Sequence, residues 1–264
     1  MQLPIYQVDA FTDRLFGGNP AAICPLERWL PDATMQAIAA ENNLAETAFY
    51  VPEGDGFALR WFTPEVEVDL CGHATLASAR VIFQHEPNRL SISFRTLKSG
   101  ILTVKRAGDL LMMDFPARPA ASVAAPEGLV AAFGRTPVET LGVRGNMSIL
   151  MAVYRSAADV AALKPDVQAL TKLDWSAVIA TAPGEDGIDF VSRFFAPALG
   201  IPEDPVTGAA HCTLTPYWAA RLGKTRLEAR QISRRVGALT CTLNADRVIM
   251  AGRAVLYMQG TITV

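Results

Sequence analysis

Two stretches of the sequence place a titratable side chain among small and apolar residues, an arrangement that suits proton transfer. The stretch Asp69–Phe83 (DLCGHATLASARVIF) presents His73 at the start of an uncharged helical pattern, where the helix dipole favours a neutral imidazole. The stretch Asp204–Leu214 (DPVTGAAHCTL) repeats the pattern with Asp204 in front. Glu46 lies at a predicted turn from helix to strand, where partial burial would raise its pKa toward the range useful to a base. We predict acid–base chemistry from these three side chains.

Each candidate also has an ordinary structural interpretation that the sequence leaves open. Glu46 fits a solvated loop glutamate, His73 a histidine bonded to its own helix N-terminus, and Asp204 an N-cap. Asn19, in the run Gly-Gly-Asn-Pro, could bind a substrate through its amide or could simply complete a turn. The residue types therefore indicate a site without fixing the role of each member.

The starts of the two small-residue helices indicate the charge of the ligand. Unpaired N–H groups and the positive end of a helix dipole attract a carboxylate or a phosphate. Neither start has the glycine–lysine pattern of a phosphate-binding loop or the glycine fingerprint of a dinucleotide site. We therefore predict a small anionic substrate, a carboxylate in preference to a nucleotide, and no cofactor.

Composition and charge exclude several classes of function. The 264 residues are 50% hydrophobic, ample for packed cores, and a net charge of -2 lacks the basic excess of nucleic-acid-binding proteins. The sequence has neither an apolar run near ~18 residues nor a signal-peptide pattern, so we predict a cytoplasmic protein that does not enter the membrane. The four cysteines and three histidines lack metal-ligand spacing, so no metal site is predicted.

The order of predicted elements divides the chain into two domains of similar design. A segment rich in proline and alanine, Pro116–Pro126, reads as a linker, and we place the domains at residues 1–117 and 118–264. The run Arg60–Pro64 (RWFTP) in the first domain matches Arg193–Pro197 (RFFAP) in the second. In both domains an acidic residue and a small-residue helix start follow the matched run, which indicates an internal duplication.

The predicted fold class is α+β, with two pseudo-symmetric domains of mixed, strongly curved sheet, each wrapped around a central apolar helix. In a duplicated fold the cleft between the halves is the natural place for an active site. Both small-residue helices are then expected to point their N-termini into that cleft.

Four motifs lie in order over nearly the whole chain. They are FTDRLFGGNPAAIC at Phe11–Cys24, NLAETAFYV at Asn43–Val51, DLCGHATLASA at Asp69–Ala79 and EDPVTGAAH at Glu203–His211. Together they resemble the phenazine-biosynthesis PhzF-like isomerase family. The resemblance implies the diaminopimelate-epimerase-like fold, in agreement with the duplication, and a homodimer.

The resemblance also implies a reaction that needs no cofactor or metal. The glutamate that matches Glu46 removes a proton from carbon and returns it elsewhere on the same substrate, while residues that match His73 and Asp204 assist. In the phenazine pathway the substrate is trans-2,3-dihydro-3-hydroxyanthranilate, which becomes a reactive ketone. A dry site with fixed hydrogen-bond donors would lower the cost of the charge that develops.

The resemblance places substrate binding at the helix starts, on backbone amides near Gly72 and Gly208 and next to Ala209, with Asn19 as a further contact. Two positions depart from the family pattern: Ala45 and Ala209 stand where serine is common. Both changes remove hydroxyls near the expected substrate. The identity of the substrate therefore transfers less safely than the proton chemistry.

Two alternative functions follow from the same residues. An epimerase or racemase would use two facing thiols; Cys71 fits the first, but Thr207 precedes Gly208 and Cys212 lies further along the helix. The second alternative is a protein that binds a small carboxylate without turning it over. The absence of serine hydroxyls at Ala45 and Ala209 is consistent with such a loss of activity. The isomerase is the interpretation that we favour.

Overall fold

The computed structural model describes residues 1–145 and 147–264, which divide into two units. The first unit combines Met1–Asp114 with the C-terminal segment Ala251–Val264, and the second is Phe115–Met250. Over these described residues, no helix combines the length and the apolar character needed to span a membrane.

The elements follow one another in a similar order in both halves of the chain. Up to the division they are β1 (Gln2–Ala10), β2 (Asn19–Pro25), α1 (Asp32–Asn42), β3 (Glu46–Glu53), β4 (Gly56–Phe62), β5 (Glu67–Val68), α2 (Gly72–His85), β6 (Ser91–Arg95), β7 (Ile101–Ala107) and β8 (Leu110–Pro116). Then come β9 (Ala121–Ser122), α3 (Leu129–Phe133), β10 (Glu139–Val143), β11 (Ile149–Val153), α4 (Ala157–Ala161), α5 (Val167–Thr171), β12 (Ala177–Pro183), β13 (Phe190–Ala196), a 3₁₀ helix (Pro197–Leu199), β14 (Ile201–Asp204), α6 (Gly208–Leu222), β15 (Arg226–Gln231), β16 (Gly237–Asn244), β17 (Arg247–Gly252) and β18 (Ala254–Thr263).

The strand pairings of the first unit form a mixed sheet. β1 pairs antiparallel with β2, β2 parallel with β3, and β3 antiparallel with β4. β4 then pairs antiparallel with the short β5 and parallel with β6, which continues antiparallel to β7. The second unit repeats this series from β10 to β16, including the short strand β14 and the parallel pair β13–β15. The predicted α+β class with mixed sheets and a duplicated design is confirmed.

The helices α2 and α6 have the buried, nearly uncharged character that the small-residue runs predicted. In α2 most residues from His73 to Phe83 are buried, and the helix packs on β1, β2, β3, β7 and β18. In α6 the buried residues include Ala210, Leu214 and Trp218, and the helix packs on β15 and β16. A helix buried nearly all round needs apolar partners on several sides, and five strands of the first unit supply them for α2.

The C-terminal strand differs from the predicted domain assignment, which placed it in the second domain. β18 pairs antiparallel with β1, from Thr263 opposite Gln2 to Ala254 opposite Ala10, and so belongs to the first unit. The alternating pattern predicts a strand but carries no information about a partner at the other end of the chain. Part of the predicted linker is also a strand, because β9 pairs with β10 opposite Leu141 and Gly142.

The matched arginines of the two repeats make the same side-chain contact. Arg60 donates from Nε and Nη2 to the two carboxylate oxygens of Glu67, at 2.7 and 2.8 Å. Arg193 donates from the same two nitrogens to Glu203, at 2.8 and 2.9 Å. Such a bidentate fork fixes the approach of the chain to the helix that follows. Arg60 also donates from Nη1 to Asp32, at the start of α1, at 2.9 Å.

Candidate functional site

Glu46 is the first residue of β3, where the strand begins beside β2. Asn43, which ends α1, has a left-handed backbone (φ 49°), and the two residues after it turn the chain into the strand. Glu46 lies opposite Ala21 in the parallel pairing, and its side chain is only 13% exposed. The carboxylate is thus held by a strand at a largely buried position.

His73, the second residue of α2, lies against this carboxylate. Its Nε2 atom is 3.1 Å from Glu46 Oε2, and the imidazole side chain is 8% exposed. The contact has the length of an ion pair but not the direction of a hydrogen bond. Neither atom has a hydrogen-bond partner in the part of the chain that the structure describes.

The charge of His73 differs from the neutral form that the helix dipole suggested. Burial alone would lower the pKa of His73, but the acidic neighbours Cys71 and Glu46 raise it well above its usual 6.5. Burial, and then Glu46, raise the pKa of Cys71 as well, against the opposing effect of His73, so this thiol is neutral at neutral pH. The group that favours the imidazolium is therefore the Glu46 carboxylate.

The other ring nitrogen of His73 contacts two side chains. Nδ1 lies 3.3 Å from Asn19 Nδ2 and 3.4 Å from Cys71 Sγ. An imidazolium donates from both nitrogens, and the Asn19 side chain can turn its oxygen toward the ring while the sulfur accepts weakly. Asn19 is fully buried at the start of β2, immediately after Gly18. These contacts fix the orientation of the ring.

A tight turn with a special glycine sets the position of Asn19. Gly18 has φ +60°, and a Cβ at this position would lie 2.1 Å from the carbonyl oxygen of Ala10. Only glycine fits that approach, because the neighbouring backbone cannot move aside. The predicted Gly-Gly-Asn-Pro turn therefore delivers a polar side chain into the core, and β2 begins at Asn19 itself.

The start of α2 leaves its first amides without a side-chain cap. Cys71 occupies the N-cap position with extended backbone and makes no capping hydrogen bond, while its carbonyl accepts from Thr75 Oγ1 at 2.6 Å. Gly72 follows as the first helical residue and is partly exposed. Backbone N–H groups at such a start favour an anion.

Asp204, Gly208 and Ala209 lie in the second unit, where a buried glutamine organises the turn between them. Gln231, fully buried, accepts from the Thr207 backbone N–H at 2.9 Å and donates to the Asp204 carbonyl at 2.7 Å. The Thr207 hydroxyl donates to the Asp204 carboxylate. Gly208 is the buried first residue of α6, and Ala209 is exposed. No sequence pattern indicated Gln231, because it lies on the distant strand β15.

The structure also brings together a ligand set that sequence spacing concealed. One carboxylate oxygen of Glu46, the sulfur of Cys71 and one ring nitrogen of His73 lie within 4.8 Å of one another. The three residues come from β3 and from the start of α2. The fold brings Glu46 beside Cys71 and His73, which lie two residues apart in the sequence.

Comparisons with known proteins agree with one another. The profile of a family described as phenazine biosynthesis-like protein (PhzC-PhzF) matches residues 8–260. A Pseudomonas aeruginosa protein named as an uncharacterized isomerase is 49% identical over 262 residues, 99% of each chain. The crystal structure of a PhzF-family phenazine biosynthesis protein from Enterococcus faecalis has a TM-score of 0.95 at 46% identity and covers 100% of both chains. A probable proline racemase from Agrobacterium radiobacter is 11% identical, with a TM-score of 0.67 over 99% of this chain and 92% of its own, so that only the fold is shared.

Proposed function

The chain belongs to the PhzC-PhzF family of phenazine biosynthesis-like proteins, and on this premise we propose that it is a cofactor-independent isomerase of a small cyclic carboxylate. The observation that carries the proposal is the buried pairing of Glu46 with His73, 3.1 Å apart. A largely dry carboxylate beside an imidazolium is suited to take a proton from carbon and hold it. Relatives named as isomerases support the class of reaction.

The reaction transfers one proton and leaves the composition of the substrate unchanged. The Glu46 carboxylate takes a proton from a C–H bond, and the electron pair of that bond delocalises into the adjacent unsaturated system. The same proton then returns to a different carbon of the substrate. No electron leaves or enters, so the step balances without an oxidant or reductant.

His73 assists through its charge and its fixed position. Its raised pKa keeps the ring protonated beside Glu46, so a positive charge lies 3.1 Å from the carboxylate that acts as the base. Contacts from Asn19 and Cys71 hold the ring in place. We assign His73 a hydrogen-bonding or proton-donating role toward the charge that develops on the substrate.

The start of each buried helix is the proposed anchor for the substrate carboxylate. Gly72 offers uncapped backbone amides in the first unit, and Gly208 with Ala209 occupies the matching place in the second. By resemblance, Asp204 assists proton transfer and Asn19 binds the substrate. The hydrogen bond from Thr207 keeps the Asp204 carboxylate oriented.

We propose as first substrate to test trans-2,3-dihydro-3-hydroxyanthranilate, which the family resemblance indicates. Ala45 and Ala209 stand where family members often have serine, so other unsaturated cyclic carboxylates belong in the same test. The shared chemistry is a C–H bond that becomes acidic because the resulting carbanion is delocalised. Unsaturated cyclic carboxylates of this kind define the class.

The test follows the proton in D2O. Incubation of the protein with the dihydrohydroxyanthranilate should give an isomerised product, and mass spectrometry and NMR should find hydrogen, not deuterium, at the new C–H position, because the proton that Glu46 removes is the one returned. Glu46→Gln should lower turnover by about 100-fold or more, since it removes the base. Glu41→Gln, on an exposed position of α1, is the matched control and should keep full activity. Unchanged turnover in Glu46→Gln would refute the assignment.

The two-thiol alternative is disfavoured by the duplicated design. Cys71 is the N-cap of α2, and the N-cap of α6 is Thr207, whose hydroxyl already contacts Asp204. A threonine hydroxyl is a far weaker acid than a thiol and does not serve as the second proton carrier. Full activity in Cys71→Ser would separate the proposed reaction from a thiol-dependent epimerase.

We also propose that the protein is cytoplasmic and forms a homodimer. The four cysteines are unpaired and buried, which suits a reducing compartment such as the cytoplasm. The family resemblance suggests a homodimer. Light scattering on the purified protein would give twice the chain mass of 28.4 kDa for a dimer, and the single chain mass would reject it.

A further inference from the structure

The cluster formed by Glu46, Cys71 and His73 has the ligand chemistry of a transition-metal site. It offers one carboxylate oxygen, one sulfur and one imidazole nitrogen within 4.8 Å of one another. Tetrahedral Zn²⁺ binds these three atom types at about 2.0–2.3 Å, which places its ligands roughly 3.3–3.8 Å apart. A contraction of up to about 1.5 Å would complete that geometry.

We propose that Glu46, Cys71 and His73 bind one thiophilic divalent cation of the Zn²⁺ class. The sulfur selects against Mg²⁺ and Ca²⁺, which prefer oxygen ligands, and favours Zn²⁺, Cd²⁺ or Co²⁺. On binding, the Cys71 thiol and the imidazolium each release one proton to solvent. The ion then has one thiolate, one carboxylate and one neutral imidazole as protein ligands, and water can take the fourth position.

An independent observation points to a ligand at this place. Glu46 Oε2 and His73 Nε2 are buried, and although they lie 3.1 Å apart, neither has a hydrogen-bond partner in the described ranges. Buried polar atoms in that state are costly, and most have a partner in folded proteins. A cation coordinated by this cluster would offset the cost for the carboxylate and would fix the direction of the imidazole.

The surroundings support the three ligands as a metal site requires. The backbone at Cys71 is fixed by two hydrogen bonds from Thr75, one from Oγ1 at 2.6 Å and one from the backbone N–H at 3.1 Å. The Glu46 side chain keeps 13% exposure, which gives an ion access from one side.

Metal binding would inhibit isomerisation, a consequence that rests on the proposed function. Glu46 would be occupied as a ligand, so it could not act as a base, and the ion would compete with the substrate. Zn²⁺ would therefore inhibit isomerisation reversibly, and a chelator would restore it. Spectroscopic binding tests the metal site by itself, so its failure is distinguishable from failure of the reaction.

The decisive experiment is a titration of the metal-free protein with Co²⁺, followed by absorption spectroscopy. We expect one Co²⁺ per chain, with the near-ultraviolet band of a cobalt–thiolate bond and the visible bands of a tetrahedral ion. Zn²⁺ should displace Co²⁺ and abolish both sets of bands. Cys71→Ala should remove the thiolate band, and His73→Gln should weaken binding by about 100-fold or more, since even outer-shell changes cost 10–100-fold.

The matched control is Cys24→Ala, which removes another fully buried thiol, on β2, and should bind Co²⁺ as the wild type does. Cys71→Ser preserves side-chain size and replaces Cys71→Ala if the latter fails to unfold cooperatively. Absence of a thiolate band in the wild type, its persistence in the Cys71 variant, or its loss in Cys24→Ala would each overturn the proposal.

Discussion

Glu46 Oε2 and His73 Nε2 lie 3.1 Å apart although their residues belong to different elements, the start of β3 and the first turn of α2. Because both side chains are largely buried, the carboxylate strongly influences the protonation of the imidazole. This pairing predicts that the pKa of His73 depends on Glu46 more than on any dipole of α2.

Replacing Glu46 by Gln should therefore lower the pKa of His73, because burial then acts without the opposing carboxylate. NMR titration can follow the ring signals of the three histidines individually. The titration of His211 should be the same in this variant as in the wild type, and the exposed control Glu41→Gln should leave His73 as in the wild type. A His73 pKa that stays raised in Glu46→Gln would disprove the dependence.

His211 predicts a loss of stability in acid. This fully buried ring contacts the Thr207 carbonyl through Nδ1 at 2.8 Å, and burial lowers its pKa to about 4. Between about pH 6.5 and pH 4 the unfolded chain binds a proton on His211 that the folded protein does not. The free energy of unfolding should thus be fully retained above pH ~6.5 and fall by about 3 kcal/mol toward pH 4.

Denaturant unfolding at several pH values would measure the contribution of His211. In His211→Asn, whose amide can still donate to Thr207, this fall should be absent, so the stability difference from wild type should narrow as the pH drops. Parallel curves for the two proteins would mean that His211 is not the group responsible.

Gly18 and Gly108 have the same backbone angle φ, so comparing their alanine variants separates the cost of a left-handed backbone from the cost of a steric clash. Gly18 and Gly108 both have φ +60°, but a Cβ at Gly18 would lie 2.1 Å from the Ala10 carbonyl oxygen, whereas at Gly108 nothing lies within 4 Å. Gly108→Ala should cost about 1–2 kcal/mol for the left-handed backbone alone. Gly18→Ala should cost about 3 kcal/mol or more in urea unfolding. Equal losses would show that the β1–β2 turn yields to the methyl group.

The repeated arginine forks predict matched losses in the two units. Arg60→Lys and Arg193→Lys keep the charge but lose the bidentate contact, and each should destabilise its unit by about 1–2 kcal/mol. Arg95→Lys is the control, because Arg95 makes a similar fork to Glu53 at an exposed place and should cost under about 0.5 kcal/mol. Thermal unfolding of the three variants would compare them. A comparable loss in Arg95→Lys would show that burial does not decide how much such a fork contributes.

Local pattern was sufficient to predict the two buried helices and their starts. Small uncharged runs after a polar turn indicate a buried helix, and α2 and α6 begin at Gly72 and Gly208 as expected. The matched arginine runs also foreshadowed the duplicated order of strands, because each is followed at similar spacing by its acidic partner. These features depend on residues close together in the sequence.

Pairing across long distances could not be predicted in the same way. The contacts of Glu46 with His73, and of Gln231 with the turn at Asp204, join elements whose separation is set by the sheet order. The charge of His73 was inferred wrongly because the dipole of its own helix is visible in the sequence, whereas the nearby carboxylate is not. The assignment of β18 to the second domain was wrong for the same reason, because its partner β1 lies at the other end of the chain.

The pairing of β18 with β1 orders events during synthesis. The ribosome releases β1 first and β18 last, with the whole of Phe115–Met250 in between. One edge of β1 therefore stays unpaired until β18 is made, while the second unit can already fold. An unpaired strand edge is prone to pair with other chains. The half that holds Glu46 and His73 is begun first and closed last, so a stalled or truncated chain loses that half before the other.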